Sequence, residues 1–217
     1  MSLQCKITPV TSYQQNCSIV WCDETMDGVI IDPGGDVALL LETIGSLGIN
    51  LRQIVLTHGH LDHVGGTIPL KEALNVDVFG PHQDDQFWLD SMEEQSRQFG
   101  FAKTEAFLPT RWLKEGDIIT FGNQKLDVFH TPGHTPGHVI LFNQQSKLAF
   151  VGDVLFKGGV GRSDFPLGDH QQLITSIKTK LWPLGNDVQF IPGHGPDSTF
   201  GHERLTNPFV ADEMPIY

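Results

Sequence analysis

The run Thr57-His58-Gly59-His60-Leu61-Asp62-His63 constrains this chain more than any other stretch. It sets three imidazoles and a carboxylate within six residues. The residues before it, Leu51-Arg52-Gln53-Ile54-Val55-Leu56, read as a buried strand. The donors therefore sit where a rigid strand gives way to a loop. His58 and His60 share one side if the chain stays extended. Asp62 and His63 follow once the backbone has turned, and so approach from another side. Isolated histidines are usually surface or core residues, and tags are terminal and repetitive. This cluster is internal and mixed with Asp. Imidazole suits zinc and iron, and the carboxylate suits a harder, water-binding ion. Four local donors crowd a single ion, so two ions are expected.

Further donors recur at the ends of other apolar runs. His134 follows residues 125–129, Asp153 follows 147–151 and His194 follows 187–191. Each lies among small residues, in Pro132-Gly133-His134, Gly152-Asp153 and Pro192-Gly193-His194-Gly195. Such residues let backbones converge closely around an ion. The chain has ten histidines, so a choice is required. In the segment holding His130, His134 and His138, alternation with Leu126 and Val128 turns His130 towards the sheet interior. His138 begins the next strand, which leaves His134 as the better donor. His82, His170 and His202 lack neighbouring donors and read as structural or surface residues.

Length and charge narrow the class. A chain of 217 residues suits one domain with a sizeable core and is short for two. A formal charge of -12 argues against nucleic-acid binding, which needs a basic surface. It also means that an anionic substrate must be met by a local basic feature. No apolar run approaches the ~18 residues that span a bilayer, and no secretory signal is visible. Cys5, Cys17 and Cys22 lack metal-site spacing and read as buried free thiols in a reducing cytoplasm.

Strands are expected at Gln4 to Val10, Cys17 to Cys22 and Val29 to Ile31, with Tyr13 to Asn16 as a turn. A helix capped by Asp36 should bury Val37, Leu40, Leu41, Ile44 and Leu47. Thr67 to Leu74 reads as helix and Val76 to Phe79 as strand. His82 to Phe99 reads as helices with a Ser91–Glu94 capping box. Hairpins are expected around Gly122-Asn123 and around residues 143–146. A helix capped by Asp169 and a last strand at Asp187 to Ile191 complete the pattern.

The order Thr-His-x-His-x-Asp-His, a lone His, Gly-Asp and Pro-Gly-His-Gly resembles the metallo-β-lactamase superfamily. Two stretches resemble its glyoxalase II branch: Thr131-Pro132-Gly133-His134-Thr135-Pro136-Gly137-His138, and Gly152-Asp153-Val154-Leu155-Phe156 leading to Gly161-Arg162. The stretch from Phe156 to Pro166, with Asn207-Pro208-Phe209, is similar to its short bacterial type. The resemblance covers essentially the whole chain. It implies an α/β fold, a four-layer αββα sandwich with two metal ions along one edge.

Carried over by motif, His58, His60 and His134 hold the first ion, and Asp62, His63 and His194 the second. Asp153 bridges both, with Asp32 in support behind them. Zinc is the first choice, and iron and manganese also suit N/O donors. Water shared by two ions is acidified towards a pKa of ~7, and Asp62 orients the resulting hydroxide. The implied substrate is a glutathione thioester such as S-lactoylglutathione, hydrolysed to the 2-hydroxy acid and glutathione. Larger relatives carry a helical domain with basic residues for glutathione. Here the whole of 1–217 is expected to be one domain without that addition, so Lys157 and Arg162 are the basic candidates for holding substrate. A monomer or weak oligomer in the cytoplasm is expected. The competing reading on this fold is a mononuclear-iron glutathione persulfide dioxygenase.

Overall fold

The computed structural model describes residues 2–212. Two sheets lie at its centre. The first runs in chain order as β1 (Leu3–Val10), β2 (Gln15–Cys22), β3 (Asp27–Ile31), β4 (Asn50–Val55) and β5 (Asp77–Phe79). The second contains β6 (Ile118–Phe121), β7 (Gln124–His130), β8 (Val139–Asn143), β9 (Leu148–Gly152), β12 (Gln189–Pro192) and β13 (Ser198–Thr199), ordered β13-β12-β9-β8-β7-β6. A small hairpin, β10 (Leu155–Phe156) with β11 (Gly159–Val160), follows Asp153. Pairs β3–β4, β4–β5 and β9–β12 are parallel.

The helices are α1 (Val37–Leu47), α2 (Leu61–Val64), α3 (Thr67–Leu74), α4 (Gln86–Asp90), α5 (Met92–Phe99), α6 (His170–Ser176) and α7 (Phe200–Thr206).

The layering follows from period-two alternation in strands that are apolar on both faces. Val20, Val29, Ile31 and Val55 of the first sheet meet Ile119, Leu126, Val128, Leu141, Phe150 and Ile191 of the second in a shared core. Their neighbours Ile19, Ile30 and Ile54 point the other way, onto Leu40 and Ile44 of α1 and Leu70 of α3. Ile140, Val151 and Phe190 point outward from the second sheet onto Leu173 of α6 and Phe200 of α7. Helix, sheet, sheet, helix is the result: the expected αββα sandwich.

Several local expectations need correction. Residues Gln15 and Asn16 belong to β2, and the turn is 11–14. Asp36 does not cap α1, because its carboxylate accepts the Thr11 backbone N–H at 2.7 Å and ties the β1–β2 turn to the helix start. Ser91 forms no capping box, because its hydroxyl donates to the Trp88 carbonyl at 2.8 Å. Asp169 does cap α6, accepting the Gln172 N–H at 2.9 Å. His130 ends β7 half-buried, its ring stacked on His82 at 4.2 Å and its Nε2 donating to the Pro136 carbonyl at 2.8 Å. Cys17 and Cys22 are buried free thiols, and Cys5 is half-buried.

Candidate metal centre

Five strand ends converge at one edge of the sandwich. Asp32 follows β3, His58 and His60 follow β4, His134 follows β7, Asp153 follows β9 and His194 follows β12. Asp62 and His63 lie on the single turn of α2, which starts directly after His60. Both sheets thus contribute donors to one place.

Two groups form. Ligand-competent atoms of His58, His60 and His134 lie within 4.8 Å of one another, as do those of Asp62, His63 and His194. Asp153 lies between the groups, 3.4 Å from His63 Nε2 and 3.8 Å from the Nε2 atoms of both His134 and His194. His194 Nε2 is 3.1 Å from Asp62 Oδ2. Two donors 2.0–2.1 Å from one tetrahedral ion lie roughly 3.3 Å apart. The observed separations suit ligands better than they suit neighbours with no ion between them.

Hydrogen bonds on the far side of four of the five rings fix which nitrogen faces outward. Carbonyl oxygens only accept, so His134 Nδ1–H donates to Arg162 O at 2.6 Å and His194 Nδ1–H to Tyr13 O at 3.2 Å. His63 Nδ1–H donates to Asp32 Oδ2 at 2.9 Å. The Thr57 hydroxyl gives its proton to Asp32 Oδ2 at 2.6 Å, so His58 Nδ1–H donates to Thr57 Oγ1 at 3.0 Å. Four imidazoles thereby turn Nε2 towards the centre and spend Nδ1–H on an outer partner, the arrangement that metal-binding histidines share. His60 Nδ1 lies 3.0 Å from the bare Nε2 of His134. One proton or one cation held between the two nitrogens accounts for that distance.

The fit extends to unpartnered atoms. His58 Nε2, His63 Nε2 and Asp153 Oδ1 are buried without a hydrogen-bond partner, an expense a fold avoids unless another group satisfies them. These residues fit divalent metal ions. His138 is equally buried and its ring stacks on His58 at 4.7 Å. Its Nε2 accepts the Asp153 backbone N–H at 3.1 Å, so its lone pair is spent. Asp32 is likewise a support, its oxygens taken by Thr57 and His63.

Electrostatics follow from burial and crowding. Burial, with His63 beside it, pushes His58 well below the usual imidazole value. Burial, with His134 adjacent, takes His60 down to about 3. His63 goes the other way: burial opposes its charge, but Asp153, Asp62 and Asp32 outweigh that and raise it. Burial opposes the Asp153 charge too, yet the surrounding histidines hold its carboxyl far below the ordinary range.

Around the donors, Trp88 meets the His60 ring edge-on at 4.6 Å, and Phe165 lies 4.8 Å from the same ring. The Arg162 guanidinium stacks over Phe165 at 4.6 Å and forks onto Asp164 at 3.0 and 2.9 Å. Lys157 is exposed on the β10–β11 turn.

Sequence reading gives no role to Thr57, Phe165 and Asp85, and leaves Trp88 open between covering the site and packing inward. Thr57 stands inside the motif and had a signal. Asp85 had none: it reads as one more acid in the polar stretch after His82, yet it is fully buried. Burial pushes its carboxyl up to about 7 against the hydrogen bonds it accepts.

Known proteins resemble this chain in sequence and fold. Residues 10–194 match the family described as "Metallo-beta-lactamase superfamily". The chain is similar to "Hydroxyacylglutathione hydrolase GloC" of Haemophilus influenzae, 48% identical over 206 residues, covering 94% of this chain and 97% of that one. Among solved structures it is similar to the BLEG-1 B3 metallo-beta-lactamase, at 34% identity and TM-score 0.88, covering 95% and 99% of the two chains. It is also similar to TTHA1623 in a di-iron-bound form, at 38% identity and TM-score 0.86, covering 94% and 100%. This chain belongs to the metallo-beta-lactamase superfamily.

Proposed function

We propose that the protein hydrolyses S-(2-hydroxyacyl)glutathione thioesters, such as S-lactoylglutathione, to the 2-hydroxy acid and glutathione. One observation carries the reading. Two donor groups, His58/His60/His134 and Asp62/His63/His194, flank a single carboxylate, Asp153. The similarity to a protein named for that activity supports it. Zinc is the first choice of ion, and the di-iron form of a similar structure keeps iron in contention.

When bound, the ions supply a water acidic enough to act as a nucleophile near neutral pH and an electrophile for the carbonyl oxygen. The side chains do the rest. Asp62 meets His194 through Oδ2, which leaves its other oxygen to accept a hydrogen bond from the attacking water and aim it. Trp88 and Phe165 wall the His60 side and keep bulk water from the acyl group. A thiolate leaving group, with a conjugate-acid pKa of about 8.5, departs without an acid. The four far-side Nδ1–H bonds leave none of those histidines free to protonate an amine, so thioesters suit the site better than amides. Arg162 and Lys157 supply the positive charge for the glutathione carboxylates. Arg162 must first let go of Asp164, and an exposed pair of this kind opens readily.

The test is a panel of thioesters and β-lactams on protein of measured metal content, with thiol release and oxygen uptake followed together. Thiol release from the 2-hydroxyacyl thioester, lost in Asp153→Ala and His58→Ala, is the expected result. A persulfide dioxygenase with one iron leaves Asp62, His63 and His194 without a task; oxygen uptake with glutathione persulfide and one ion per chain would decide for it.

A further inference from the structure

Asp85 is a carboxylate with no exposed surface, and it touches none of the seven candidate metal-binding side chains through its own oxygens. Its Oδ2 accepts the Gly59 backbone N–H at 2.9 Å and the Thr135 hydroxyl at 2.8 Å. Its Oδ1 accepts the Gly137 N–H at 2.6 Å. Gly59 lies between His58 and His60, and Thr135 follows His134 directly. One carboxylate therefore joins the two loops that present the first donor group, although 74 residues separate His60 from His134.

The joint is tight. A Cβ on Gly137 would lie 2.5 Å from the Asp85 nitrogen, and one on Gly59 would lie 2.6 Å from the Trp88 Cβ and 3.2 Å from the Asp85 oxygen. Asp85 is itself anchored: its N–H donates to the His82 carbonyl at 3.0 Å, and the His82 N–H donates to the Gly137 carbonyl at 3.0 Å. Neither loop can shift relative to the other without breaking a buried hydrogen bond to Asp85 and leaving a buried polar group unpaired. The contrast with Asp32 is informative. Asp32 reaches His63 directly and His58 through Thr57, and so serves both donor groups. Asp85 serves only the first.

We propose that Asp85 is a positioning residue for the first ion, fixing the spacing between the His58–His60 loop and the His134 loop and thereby that ion's affinity. This rests on the reading that His58, His60 and His134 hold an ion. A plain cross-link in the fold is the competing role, and it predicts a change in stability without a change confined to one ion.

The test uses cobalt(II)-loaded protein titrated with a competing chelator, following the visible absorption of the metal and the metal retained per chain. Wild type is compared with Asp85→Asn, Thr135→Val and, as a reference for a chain lacking the first ion, His58→Ala. Asparagine keeps the shape but turns an N–H towards a backbone N–H on one side. Valine removes a single donor. The first ion should be lost at roughly 10–100-fold lower chelator in Asp85→Asn, the usual effect of removing an outer partner, and less far in Thr135→Val. The second ion should stay within about twofold of wild type on the same scale. Equal weakening of both ions, or unchanged affinities with a lowered melting temperature, would overturn the proposal. If Asp85→Asn does not fold, the same asymmetry in Thr135→Val decides. A wild type whose spectrum and metal content match those of His58→Ala removes the site reading itself, and the Asp85 role with it.

Discussion

At the scale of the residue, the centre depends on atoms that never face an ion. Asp32 accepts the Thr57 N–H at 2.7 Å, the Thr57 hydroxyl and the His63 ring, from a left-handed backbone at φ 51°. Asparagine there would present an N–H to one of these donors and release the tautomer of His63. Asp32→Asn should weaken both ions, by about 10–100-fold each, in chelator competition; an effect on one ion alone would contradict the hydrogen-bond pattern. Gly193 has a different constraint. A Cβ there would overlap Asp153 Oδ1 and crowd His63 Cε1. Gly193→Ala should leave a folded chain with depressed metal content, measured by elemental analysis after dialysis.

At the scale of the element, α6 supports the loop that carries His134. The Asp169 N–H donates to the Gly133 carbonyl at 2.8 Å, and the Ser176 hydroxyl donates to the Pro132 carbonyl at 2.7 Å. Gly133, at φ 139°, passes so close over Leu173 that a side chain there would meet the helix backbone. Leu173 is fully buried against Ile140, Val151 and Phe190. Leu173→Ala should cost about 2–5 kcal/mol in denaturant unfolding, because a cavity opens between helix and sheet. It should also loosen the His134 loop and lower metal affinity. Unfolding and metal loss that change independently would show that α6 does not carry the loop.

At the scale of the whole molecule, the donors come from both halves of the sandwich. His58, His60, Asp62 and His63 follow the first sheet, and His134, Asp153 and His194 follow the second. Ions held between them bind the native state and not the unfolded chain. Stability should rise by about 4 kcal/mol for each ion at a free-metal concentration 1,000 times its Kd, seen as a melting temperature that climbs with added metal and falls with chelator. The metal-stripped protein has its own pH dependence. His58, His60, His134 and His138 have folded pKa values below their unfolded value of 6.5. Their neutral forms are the buried ones, so their contribution is complete above 6.5 and is lost as the pH falls. His63 and His194 are raised, so theirs is complete below 6.5 and is lost as the pH rises through the folded values. Asp85, raised to about 7, opposes these four histidines and His130, which is lowered likewise, in the acid window, one group against five. Stability of the stripped chain should therefore peak near the unfolded imidazole value, about 6.5. A profile rising steadily to pH 9 would contradict these assignments.

Much of this was legible in the linear chain, for a physical reason. Strand alternation is local, so Ile19 with Val20, Ile30 with Val29 and Ile140 with Leu141 announce two-faced strands before any contact is known. The donor types and the glycines beside them are local as well, so His58, His60, Asp62, His63, His134, Asp153 and His194 stood out as a set. The cap readings failed at Asp36 and Ser91, where a partner outside the helix start took the side chain, Thr11 in one case and Trp88 in the other. Asp85 was invisible because its partners lie 26, 50 and 52 residues away, and no pattern in sequence marks an acid that only the closed fold buries. The chain alone determined its elements and the chemistry of its donors, since both follow from neighbouring residues. Which nitrogen each ring turns inward, and which carboxylate holds the loops behind it, only the tertiary structure decided, because those depend on distances between segments that meet after folding.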